Sequence, residues 1–60
     1  MFLSDTVISR AIRRSFNEGH RCVYVVRRRG RFRFLLAEPR SRADHLVGRA
    51  IGDAWFPGIG

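Results

Sequence analysis

The chain has no lysine. Its formal net charge of +7 over 60 residues comes from twelve arginines set against five acidic side chains. A GC-rich genome would favour arginine over lysine, but it would not produce an excess of positive charge or gather that charge in one place. Cysteine is almost as scarce. Cys22 stands alone, which excludes an internal disulfide and any zinc site built from cysteines, and it points to a reducing, cytoplasmic setting. The histidines are only His20 and His45. They are far apart in sequence, and no serine or carboxylate stands from either at the spacing of a triad or a metal site. The expectation is therefore no enzyme, no metal and no cofactor. Long apolar runs are lacking too. Met1-Phe2-Leu3 gives way at once to Ser4 and Asp5, and nothing approaches the roughly 20 apolar residues of a membrane span. No membrane partner is expected.

What remains is apolar enough to fold. With 45% hydrophobic residues the chain does not read as a disordered basic tail. Ordering a chain this short costs on the order of 1.5 kcal/mol per residue, which apolar burial only roughly balances. A single domain spanning residues 1–60 is expected, with self-association into a homodimer as an aid.

The densest feature is Arg27-Arg28-Arg29-Gly30-Arg31-Phe32-Arg33, five of the twelve arginines inside seven residues. Clustered guanidinium groups repel one another, and a negatively charged partner relieves that repulsion. Residues 21–28 and 31–37 on either side alternate in the manner of strands, with Val23, Tyr24, Val25, Val26, Phe32 and Phe34 as strand formers. A three-residue loop, Arg28-Arg29-Gly30, would pair Arg27 with Arg31 and place Gly30 in the left-handed position. Cys22, Tyr24, Val26, Phe32, Phe34 and Leu36 would then share an apolar core face. The other face would hold Val23, Val25 and Leu35 in its middle, with Arg27, Arg31 and Arg33 toward the turn. Both strands of such a hairpin are edges, so Val23, Val25 and Leu35, together with Phe56, are candidates for a protein interface.

Helical periodicity flanks the hairpin on both sides. Over residues 5–18, Val7, Ile8, Ala11, Ile12 and Phe16 trace one apolar stripe, while Arg10, Arg13, Arg14 and Asn17 take the opposite face. Ser4 suits the N-cap, Leu3 a staple against Ile8, and Gly19 the C-terminal stop. Over residues 42–55, Ala43, Leu46, Val47, Ala50, Ile51, Ala54 and Trp55 suggest a second helix, with Ser41 and Asp44 as a capping box and a short tail from Phe56 onward. The expected fold class is α+β: a two-layer α-β-β-α domain with both helices on one face of the hairpin.

The function expected from these residues is non-enzymatic binding of nucleic acid through its phosphate backbone. Arg27, Arg28, Arg29, Arg31 and Arg33 form the grip, and Arg10, Arg13 and Arg14 widen the footprint. The alternative is a small phage or mobile-element inhibitor or adaptor, of the kind exemplified by anti-CRISPR proteins, whose arginines meet an acidic patch on a protein or nucleoprotein complex. Tyr24, Phe32 and Phe34 alternate with basic residues as stacking platforms do, although the hairpin register above assigns them to the core. In size, charge and the Gly19-His20 pair the chain is similar to the small HicA-type toxins. That resemblance implies His20 as a general base for RNA cleavage, but only two strands are expected here and the pair is the whole of the motif.

Overall fold

The computed structural model describes residues 5–58 and shows one helix and four strands: α1 (Asp5–Asn17), β1 (Val23–Arg28), β2 (Arg31–Leu35), β3 (His45–Ile51) and β4 (Ala54–Pro57). The strands form one antiparallel sheet in the order β2-β1-β3-β4. The α+β class is as expected. The second helix is not: residues 45–57 form a β-hairpin instead.

Helix α1 forms where its periodicity placed it. Ala11 and Ser15 are fully buried, and Val7 and Ile12 pack on the core formed by Ala11, Val23, Val25 and Ala50. The expected N-cap Ser4 and the staple residue Leu3 lie outside the described residues. The C-terminus closes as a Schellman motif, with the His20 N–H bonded to the Ser15 carbonyl at 2.7 Å and the Gly19 N–H to the Phe16 carbonyl at 3.1 Å. Gly19 and His20 are both left-handed there, at φ 76° and 64°. Phe16, assigned by its spacing to the core, is exposed, and its ring meets His20 edge-on at a centroid distance of 4.8 Å.

The β1–β2 turn has two residues rather than three. Arg28 pairs with Arg31, and Arg29 and Gly30 sit at φ 52° and 77°. Two successive positive φ values mark a type I′ turn, whose twist matches that of the flanking strands. This register flips the core face of β1 alone, while Phe32 and Phe34 keep their expected place in the core. Val25 faces Phe34 and Arg27 faces Phe32, so Val23, Val25, Phe32 and Phe34 lie beneath α1. Cys22, Tyr24 and Val26 fall on the opposite face, where Val26 is nonetheless fully buried as expected, and Leu36 is exposed beyond the strand. Val23 and Val25, candidates for a protein interface, are wholly buried. Nor is β1 an edge, because β3 pairs along its other side.

The β3–β4 hairpin accounts for the misread helix. Its apolar residues satisfy a helical spacing, yet Gly52 and Asp53 form a two-residue turn between the paired Ile51 and Ala54. Gly52 supplies the positive φ of 62° at the first turn position, the sign pattern of a type II′ turn. Gly48, buried in β3, lies directly beneath the indole of Trp55, and a Cβ at that position would collide with the ring. A bulge in β3 sets the register shift opposite Val25 and Val26. As a strand, this segment satisfies the free side of β1 through the backbone, a long-range gain that local helical periodicity does not register.

Candidate nucleic-acid interface

The helix covers only one face of the sheet. On the other face, cross-strand pairing sets Leu35, Tyr24, Arg49 and Phe56 in a single row through all four strands. Arg33, Val26 and Leu46 form the next row, and Arg31 and Arg28 the one nearest the turn. Paired residues point to the same side, and alternate residues along each strand do so too. An aromatic row and a column of arginines therefore share one surface.

The hairpin arginines divide by role. Arg28 is engaged within the fold. Its Nε lies 3.1 Å from Asp44 Oδ1, and its Nη2 donates to Ser41 Oγ at 3.0 Å. Asp44 Oδ1 is buried and accepts no aligned hydrogen bond, so charge rather than direction holds that pair. Ser41 and Asp44, expected to cap a helix, instead close a tight turn in which the Asp44 N–H donates to the Ser41 carbonyl at 3.1 Å. The turn pins the β2–β3 connection to the hairpin. Arg27 is half-buried on the helix side, opposite Phe32 and His45. Arg29, Arg31 and Arg33 are exposed and, among the described residues, take part in no ion pair. Together with Arg28 and Phe32 they line an open hollow of about 670 Å³ at the hairpin tip.

Arg49 was not among the residues singled out from the sequence. It is the fourth exposed arginine of this surface, and its guanidinium carbon stands 5.9 Å from the centroid of the Phe56 ring. That is within the range of a cation–π contact. Phe56, a candidate for a protein interface, is 44% exposed. Leu35 is half-buried beside Tyr24. The phenol of Tyr24 is pushed above its ordinary pKa, first by its hydrogen bond with the Cys22 thiol and by the charge that thiol acquires. Desolvation and Glu38 act in the same direction, and Arg49 opposes them.

The helix arginines stand apart from this surface. Arg10, Arg13 and Arg14 are exposed on α1, on the side of the sheet away from Arg31 and Arg33. Arg14 alone reaches toward β2, where it lines an open hollow of about 660 Å³ with Phe34, Leu36, Glu38 and Arg40. The sequence-based footprint thus splits between two sides of the molecule. His20 sits at the helix terminus against Phe16, with Gly52 beside its ring. His45 pairs with Arg27 on β1.

Among the described residues no helix is long and apolar enough to cross a membrane. Compared with known proteins, the chain matches no family model, no curated protein sequence and no solved structure.

Proposed function

We propose that this chain is a non-enzymatic binding module for nucleic acid, held to the phosphate backbone by Arg29, Arg31, Arg33 and Arg49. The observation that carries this reading is the contrast within the arginine run. Arg28 is tied to Asp44 and Ser41, while three neighbours on the same stiff hairpin remain exposed. A guanidinium presents its donors as a flat fork that matches two phosphate oxygens at once. A type I′ hairpin holds such forks in place, so little backbone ordering remains to be done on contact. The Arg28–Asp44 pair keeps the β2–β3 connection against the same hairpin.

The helix arginines would meet phosphate only where a long nucleic acid wraps around the sheet edge near Arg14. They contribute long-range attraction rather than the main contact. The half-buried free thiol of Cys22 fits a reducing, cytoplasmic setting.

Four phosphate contacts on duplex DNA correspond to a slope of about −3.6 in log affinity against log salt. Gel-shift titrations of duplex DNA, single strands and structured RNA over a range of salt test the proposal. Binding that tightens steeply at low ionic strength supports it. An affinity for all three that ignores salt contradicts it.

A further inference from the structure

We infer that the nucleic acid is single-stranded and lays its bases across the helix-free sheet face, on the rings of Tyr24 and Phe56 with Arg49 between them. The inference rests on the phosphate-binding reading above and extends it from the backbone to the bases.

The juxtaposition is fixed by pairing. Tyr24 faces Arg49 across β1–β3, and Arg49 faces Phe56 across β3–β4. Strands lie about 4.8 Å apart, so the backbones that carry the two rings stand roughly 10 Å from one another on a single line. Arg49 over the Phe56 ring leaves a guanidinium plane as a further stacking partner. Beside Phe56, a shallow groove of about 240 Å³ runs between Leu46, Arg49, Pro57 and Gly58. That is below the roughly 300–1,000 Å³ of small-molecule sites, and it suits one planar group better than a cofactor.

Charge selects the occupant. Arg31 and Arg33 flank the aromatic row on β2, and Arg28 beyond them already neutralises Asp44. A second copy of this chain docked by the same face would set Arg31, Arg33 and Arg49 against like charges. A polyanion is drawn to it instead. Duplex DNA would meet the arginines but gain nothing from the half-buried Tyr24 ring or the exposed Phe56 ring, because its bases are already stacked on each other. A single strand offers phosphates to the β2 arginines and free base faces to Tyr24 and Phe56. Every base has a π-face, so such binding tolerates sequence.

The test is fluorescence anisotropy with labelled oligothymidine, oligouridine, a matched duplex, an abasic strand of the same length, and polyglutamate. The proteins are the full chain and its Phe56→Leu variant, which keeps apolar bulk and removes the ring. Phe56 is exposed, so the variant should retain the fold, and an unchanged Trp55 emission spectrum checks this. The expected result is tighter binding to the base-bearing strands than to the abasic strand. Phe56→Leu should weaken the base-bearing strands by about tenfold and leave the duplex unaffected. The preferred strand then identifies RNA or DNA as the source. Equal affinity for abasic and base-bearing strands, or an unaffected Phe56→Leu variant, overturns stacking while leaving phosphate binding intact. Polyglutamate binding as tight as that of oligothymidine would point to an acidic protein and overturn the inference. Failure to bind any nucleic acid at low salt overturns it together with the reading beneath it.

Discussion

Ser15 and Gly52, 37 residues apart, are joined by a buried hydrogen bond of 2.7 Å from the Gly52 N–H to Ser15 Oγ. The same hydroxyl donates to the Arg21 carbonyl at 2.6 Å. One small side chain therefore ties three things together: the last turn of α1, the connection into β1, and the turn between β3 and β4. In a chain of 60 residues, where burial and entropy nearly cancel, such a tie has a large share in stability.

Replacing Ser15 by Ala leaves a buried N–H and a carbonyl without their partner. We expect a loss of about 2 kcal/mol, read as a lower urea midpoint with little change in slope. A variant with the midpoint of the wild type would show that water replaces the hydroxyl at no cost.

The turn at Arg29-Gly30 separates stability from function. Arg29 holds φ 52°, a conformation that disfavours a long side chain and that Asn tolerates well in type I′ turns. Arg29→Asn should therefore raise stability by about 0.5–1 kcal/mol, measured by urea or thermal unfolding. The same change removes one phosphate contact, so the salt slope on a single strand should become shallower by about 0.7.

Tyr24 is the only tyrosine, so its ionisation can be followed by tyrosinate absorbance. The fold favours the neutral phenol, mainly through Cys22. Because the folded value lies above the unfolded one, this contribution is intact below about pH 10 and is lost as pH rises through the raised value. The titration midpoint should lie above that of the urea-unfolded chain and fall toward it in Cys22→Ala. A folded midpoint at or below the unfolded one would contradict the thiol–phenol contact.

Much of this architecture was legible in the residues. The helix over 5–17 announced itself by its apolar stripe and by Gly19, and the first hairpin by its alternation and by Gly30. The inward face of β1 was not. Val23 and Val25 on one side, and Tyr24 and Val26 on the other, are both apolar enough to be a core. What decides between them is a third strand absent from the hairpin itself. That strand was concealed because Leu46, Val47, Ala50 and Ile51 fit helical spacing as readily as a bulged strand. The Gly52-Asp53 pair between two β-prone runs was the available signal. Gly48 would weaken a helix, whereas in the strand it makes room for the Trp55 ring. The arginine run was recognised as a surface, but Arg49 and Phe56 join it only through pairing across β3 and β4.

The central claim is that Arg29, Arg31 and Arg33 hold phosphate. Its most direct test is the salt dependence of single-strand binding for the wild type and for the triple variant Arg29→Gln, Arg31→Gln, Arg33→Gln. Four contacts predict a wild-type slope of about −2.8, and loss of three should bring it to about −0.7 with much weaker binding at low salt. A triple variant that keeps the affinity and slope of the wild type would contradict the account.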